Sequence, residues 1–140
     1  MMAGAQTAAQ SLVIQRESQP YWDGLQARRL LIQRCASCGC LRHYPRPVCS
    51  ACWSMAADWV EASGKGVVHT WTVAHHAFHK SWRDQLPLVL VTVDLDEGVR
   101  IHAPLRGPGT TALRIGLPVR LIFESTDGQT LLPAFEAADL

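Results

Sequence analysis

The stretch from Met1 to Ser18 contains no long apolar run, and no basic residue comes before Arg16. Neither a secretory signal nor a membrane anchor is therefore expected there, and the cytoplasm is the expected compartment. An excess of one charge sign is also missing: 13 Lys and Arg stand against 12 Asp and Glu, a formal net charge of +1. A chain this close to neutral has no electrostatic bias toward polyanions, so composition gives no support to a nucleic-acid partner. There is no internal repeat, and the only biased segment is the Ala-, Gln-, Ser- and Thr-rich beginning, Met1 to about Gln15, read as a mobile tail. An even cysteine count is lacking as well. Five cysteines in a reducing compartment do not make a disulfide framework, which leaves metal binding as the leading explanation for them.

What is present begins with that cysteine pattern. Cys35-Ala36-Ser37-Cys38-Gly39 and Cys49-Ser50-Ala51-Cys52 are two Cys-x-x-Cys knuckles. Two intervening residues let a tight turn carry both thiolates to one ion, and a following glycine lets the backbone turn back with positive φ beneath it. Cys35, Cys38, Cys49 and Cys52 together supply a tetrahedron of sulfurs with no position left for water, so the site is expected to be structural. Zn²⁺ is the first expectation for such a soft set, and Fe is permitted by the same geometry. Cys40 fits a knuckle poorly and is read as a bystander, while Trp53 and Trp59 are expected to pack on the ribbon.

Around the knuckles, Ser18-Gln19-Pro20 offers a helix start with Ser18 as candidate N-cap, followed by Tyr21, Trp22 and Leu25 on one face. Leu30 to Gln33 is an apolar run leading into Cys35. From Gly64 onward the pattern changes to β-type runs separated by turn residues. Val67, His69, Trp71 and Val73 alternate with Val68, Thr70 and Thr72; Leu88 to Leu95 is a second run; Val99, Ile101 and Ala103 share a face of a third. Val119, Leu121 and Phe123 mark a fourth, and Leu131 to Phe135 a fifth. Five short strands at this length suit a small closed OB-type barrel, because an open sheet would leave an apolar face with no helix to cover it. The expected division is a tail over 1–17, a helix and ribbon over 18–62 and a barrel over 63–140.

In chain order, Tyr21-Trp22-Asp23-Gly24-Leu25, Leu30 to Cys35, Cys38-Gly39, Pro45-Arg46-Pro47 before Cys49, Ser63 to Val68, Trp71-Thr72-Val73, Asp96 to Arg100 and Ile115 to Val119 resemble the zinc-ribbon plus OB-fold family first catalogued as domain of unknown function thirty-five. The likeness runs from Ser18 to the last residue. It is carried by the order and spacing of the elements, none of which is specific alone. The resemblance implies a mainly β chain with an N-terminal helix, a rubredoxin-like zinc ribbon and a five-stranded OB barrel. It also implies a non-catalytic accessory subunit beside a thiolase-superfamily enzyme or another acyl-CoA enzyme, with acyl-CoA handling in place of nucleic-acid binding. Trp53 departs from the family pattern, where a glycine often follows the second knuckle, and that puts the regularity of the second turn in question.

The segment His75 to Arg83 is the least barrel-like part of the second half and is expected to form a long loop between the first two barrel strands. His79, Lys80 and Arg83 are candidate contacts for the phosphates of a CoA, and Phe78 and Trp82 for its adenine; the competing reading is a polar loop packed on a partner protein. No catalytic residue is assigned, since Ser81, Asp84 and Asp94 lie near the histidines only in sequence. A single-stranded nucleic-acid-binding OB protein is the alternative function, and charge argues against it. Single-stranded DNA is expected to bind no better than millimolar at physiological salt, with little salt dependence. Micromolar binding with a steep salt slope in a fluorescence titration would restore that alternative.

Overall fold

The computed structural model describes residues 13–125 and 127–138, so the expected tail lies outside the described residues from Met1 to Leu12. A turn of 3-10 helix, Arg16–Ser18, runs directly into helix α1 (Gln19–Gln26). Pro20 is accommodated in the first turn, where its missing N–H leaves no bond unmade. Tyr21, Gly24 and Leu25, at i, i+3 and i+4, turn inward. Ser18 stands at the N-cap position but does not cap. The preceding turn already holds it in a helical conformation (φ −98°, ψ 0°), whereas capping needs extended backbone, and its hydroxyl instead donates to the Gln15 carbonyl at 2.9 Å.

The ribbon is a three-stranded antiparallel sheet in which β1 (Leu31–Cys35) lies between β2 (Leu41–Arg42) and β3 (Ala57–Glu61). Sequence reasoning did not anticipate β3. Its residues Ala-Asp-Trp-Val-Glu show no period-two alternation, and the strand exists because β1 presents a row of backbone groups that Ala57–Glu61 pairs residue for residue. Buried within the ribbon, Gln33 Oε1 accepts from Arg42 Nε at 2.6 Å and from the Arg46 amide at 2.8 Å, tying the segment between the knuckles to β1.

Strands β4 (Lys65–Ala74), β5 (Leu88–Leu95), β6 (Arg100–Arg106), β7 (Pro118–Ser125) and β8 (Leu131–Ala137) close into the expected five-stranded barrel. The order around the ring is β4-β5-β6-β8-β7, with β7 returning to β4; only the β6–β8 pairing is parallel. One feature of β4 differs from strict alternation. A bulge between Val68 and Thr70 shifts the register, so Val68 opposes Val93 while Trp71 opposes Val91, and Trp71 shares the face of Val68, opposite to Val67. Gly66 stands where β4 pairs with both β5 and β7, and a Cβ there would collide with the Asp94 carbonyl.

The two lobes share one core. Tyr21 and Leu25 of α1, Leu30 and Ile32 of the ribbon, and Val68, Val93, Ile101, Val119 and Phe135 of the barrel belong to a single cluster of buried side chains. Polar bonds lock the same junction. Gln26 exchanges two bonds with the backbone of Leu131, at 3.1 and 2.9 Å, and the Tyr44 hydroxyl accepts from the His102 amide at 3.0 Å while the two rings stack. Phe135, fully buried, sits in that shared cluster. Phe135→Ala is expected to cost about 3–5 kcal/mol in urea unfolding, as a cavity at such a site relaxes only in part; a loss below about 1 kcal/mol would show that the core repacks.

Candidate metal centre

The knuckles are near copies of one another in backbone geometry. In the first, the Gly39 amide donates to the Cys35 carbonyl and the Cys35 amide to the Cys40 carbonyl, both at 2.9 Å; in the second, Trp53 donates to Cys49 and Cys49 to Ser54 at the same distance. Gly39 has φ of 79° and Trp53 of 66°, so the tryptophan adopts the left-handed conformation that a glycine usually takes and the turn stays regular. The expectation that Trp53 packs on the ribbon is corrected: its side chain is 79% exposed. The first knuckle shows why, since a Cβ built on Gly39 would meet nothing within 4 Å, so the equivalent position points into open space. Trp59 does pack against the core.

The four sulfurs of Cys35, Cys38, Cys49 and Cys52 lie within 4.8 Å of one another, with Cys35 to Cys52 at 3.5 Å and Cys38 to Cys49 at 3.7 Å. Metal–sulfur bonds of ~2.3 Å in a tetrahedron require sulfur separations of about 3.8 Å, so the residues fit a Cys₄ zinc site. Cys35 and Cys49 are buried and Cys38 and Cys52 exposed, which places the site at the ribbon tip with one side sheltered. The amide of Cys38 points at Cys35 Sγ at 3.4 Å and holds that thiol down to about 6; the amide of Cys52 lowers Cys49 in the same way. Such N–H···S bonds favour the thiolate, the form a metal binds. Cys40 is exposed and is not one of the four.

The loop candidates fall together on one connection, between β4 and β5, but not around a common target. His79 Nδ1 accepts from the Ser81 amide at 3.1 Å and contacts Ser81 Oγ at 2.7 Å, capping the 3-10 turn Lys80–Gln85. No carboxylate among the described residues orients this His–Ser pair, so it is a turn and not a nucleophile with its base. Lys80 and Arg83 are exposed and make no side-chain hydrogen bond among the described residues; Trp82 is half-buried, and Phe78 is 95% exposed, edge-on to His76. Sequence reasoning passed over Tyr44 and His102, which join the lobes, and Arg42, which is buried in the ribbon. The available signal was an aromatic and two arginines packed into the short stretch between the knuckles, Arg42 to Arg46.

With this geometry in place, comparison with known proteins is consistent at both lobes. Residues 22–56 match the family described as the ChsH2 rubredoxin-like zinc ribbon domain, and residues 59–124 the ChsH2 C-terminal OB-fold domain. The chain is 40% identical over 125 residues to a probable enoyl-CoA hydratase alpha subunit of Thermomonospora curvata, covering 89% of this chain and 39% of that protein. It is also 40% identical over 108 residues to the 3-oxo-4,17-pregnadiene-20-carboxyl-CoA hydratase alpha subunit of Mycobacterium tuberculosis, covering 77% of this chain and 34% of that one. The chain thus spans little more than a third of either hydratase subunit. A DUF35 domain-containing scaffold protein of Methanocaldococcus jannaschii is 32% identical over 73% of both chains. Among solved structures, the Ltp2-ChsH2(DUF35) aldolase superposes with a TM-score of 0.84 at 39% identity, covering 91% of this chain and 99% of that one.

Elemental analysis of the purified chain is expected to find one zinc per molecule. Cys35→Ser and Cys52→Ser should each lose it and leave the ribbon unfolded, because few apolar side chains remain to order that lobe without the ion. Since the ligands bind as thiolates, zinc affinity should fall as pH is lowered. A metal-free preparation with native circular dichroism and protected ribbon amides would contradict the assignment.

Proposed function

The chain belongs to the ChsH2-type zinc-ribbon and OB-fold family, the DUF35 proteins, and on that premise we propose that it is a non-catalytic accessory subunit that scaffolds an acyl-CoA-processing enzyme. The observation that carries this reading is the 39% identical likeness to the Ltp2-ChsH2(DUF35) aldolase, a structure whose name joins this architecture to an enzyme. Two hydratase alpha subunits share the same segment, and their names, which speak of CoA thioesters, support this reading. Because the chain matches only a minor part of those subunits, hydration itself is not assigned to it. The metal set uses four thiolates and leaves no coordination position for a reacting water. The finer reading is that the partner is a thiolase-superfamily subunit that brings the catalytic Cys and His.

The surface best suited to that partner is the far end of the β4–β5 hairpin. Strand β4 pairs with β7 from Lys65 to Val67, and Val68 exchanges backbone bonds with Gly116 and Leu117, so its residues from Thr70 on have β5 on one side and, among the described residues, an open edge on the other. Trp71, Val73 and Leu90 stay 37–39% exposed there, and Phe78 stands within the connection from β4 to β5. An open strand edge with apolar side chains is what a protein partner covers. Trp22, on the helix, packs against the core and contributes less surface. His79, Lys80, Arg83, Phe78 and Trp82 are proposed as contacts to the partner or to a CoA it holds.

Affinity capture of the chain from its native cell extract is expected to bring down one acyl-CoA enzyme subunit that loses most of its activity or solubility without it. In the reconstituted pair, Phe78→Ala or Trp71→Ala should weaken assembly by about thirtyfold, near 2 kcal/mol, with zinc content unchanged. If the purified chain alone turns over an acyl-CoA, or the captured enzyme is fully active without it, the scaffold reading fails.

A further inference from the structure

Trp53 occupies the glycine position of the second knuckle, and neither the turn nor the core accounts for it. Its φ of 66° lies in the left-handed region, where a side chain costs free energy that glycine does not. The first knuckle makes the same turn with Gly39, at φ 79°. A bulky residue held in such a conformation is ordinarily offset by what it touches, yet Trp53 is 79% exposed. Met55, two residues further on, is 75% exposed. The ribbon tip thus carries an unpacked aromatic on backbone that disfavours it, followed closely by a second large apolar side chain.

The base beneath these two side chains is firmly tied. Ser54, which separates them, accepts at its carbonyl from the Cys49 amide at 2.9 Å. Its hydroxyl accepts from the Ala56 amide at 3.1 Å and from the Ser37 hydroxyl of the other knuckle at 2.8 Å. The Ala36 amide donates to the Ala56 carbonyl at 2.9 Å, a second bond between the two knuckle segments. An anchor on so fixed a base loses little freedom when it docks. Charge narrows what it can dock on. No charged residue occurs at 36–40 or 50–57, and the flanking Arg34 and Asp58 are paired with each other at 2.8 and 3.0 Å. Four thiolates about one divalent ion also leave the knuckles net negative. With no cation for a phosphate, the tip suits neither a nucleic acid nor an anionic lipid surface.

An uncharged apolar pocket on a protein is the complement that remains. A second copy of this chain is a poor source of it, because two such tips pressed together would cover on the order of 700 Å², too little for a stable dimer. The same small area means that the tip acts beside a larger contact. We propose that Trp53, with Met55, is an anchor that enters an uncharged apolar pocket on the enzyme subunit that covers the β4 edge. This rests on the scaffold reading above. Because ribbon and barrel share one core, both patches reach that subunit on one body, and seating one makes the other nearly intramolecular.

The enzyme subunit recovered by affinity capture is titrated calorimetrically with the zinc-loaded full chain and its variants. Trp53→Gly relieves the left-handed strain, so zinc content and the urea midpoint of the free chain are expected to be unchanged or raised, while affinity for the subunit falls at least tenfold. Trp53→Phe, which keeps an aromatic at the tip, is expected to retain most of the affinity. Trp53→Gly that binds as the parent does, while Phe78→Ala weakens assembly, overturns the anchor and leaves the scaffold reading standing. A parent chain that forms no complex with an acyl-CoA enzyme overturns both. Loss of zinc or of the fold in Trp53→Gly makes the residue structural and overturns the anchor. A parent dimer that Trp53→Gly abolishes in sedimentation would put a second copy on the tip, and Trp53-dependent flotation with phosphatidylcholine vesicles would put a membrane there; either result overturns the enzyme as occupant.

Discussion

The closure of four thiolates on one cation is the constraint from which the ribbon follows. The lobe has few apolar side chains of its own, and its β2 is two residues long, too short to hold a sheet by pairing alone. What fixes it is the convergence of two turns on one point: Cys35 ends β1, and Cys49 lies after a segment that has crossed back over Gln33. With both knuckles anchored, Arg42 and Arg46 must lie over β1, and a single Gln33 carbonyl can serve both. The metal therefore orders side chains that never touch it.

The ribbon and barrel are then joined in a way that makes either one a poor independent unit. Ile32 lies in the same buried cluster as Phe135, and the helix reaches the barrel through Gln26 and Leu131. Tyr44, carried by the inter-knuckle segment, completes the contact by accepting the His102 amide on β6. Loss of the ion would act first on the segment that holds Arg42, Tyr44 and Arg46, and through it on the barrel. In the proposed scaffold role, this build would present the barrel and the ribbon to a partner in one fixed relation.

How much of this could be read from sequence follows the range of the interactions. The knuckles are local: a Cys-x-x-Cys turn is specified within five residues, and both appear where expected. The barrel strands were visible for a related reason, since burial of Val99, Ile101 and Ala103 on one face leaves a period-two trace. What depended on distant partners was not visible. β3 exists by pairing with β1, the bulge beside His69 reverses the face of Trp71 by a single inserted residue, and Ser18 fails to cap because of the turn before it. Trp53 was misplaced because its hydrophobicity suggested packing, while its position in the knuckle directs the side chain outward whatever it is. The burial of Arg42 was the hardest to foresee, as an isolated arginine is usually at the surface.

That burial also depends on the structural metal. Arg42 is held from one side by Gln33 on β1 and from the other by the Arg46 carbonyl, so its place depends on how the segment between the knuckles lies over the strand that ends in the first of them. On the barrel side, Arg100 is steadied by Asp94 across the β5–β6 pair. The bond from the His102 amide to the Tyr44 hydroxyl thus bridges the two lobes directly, adding to the shared apolar core a polar tie between the inter-knuckle segment and β6. Since that tie needs both the ribbon order set by the metal and the strand register of β5 and β6, an ion that binds only the ordered ribbon stabilises both lobes together, by mass action on the state that binds it.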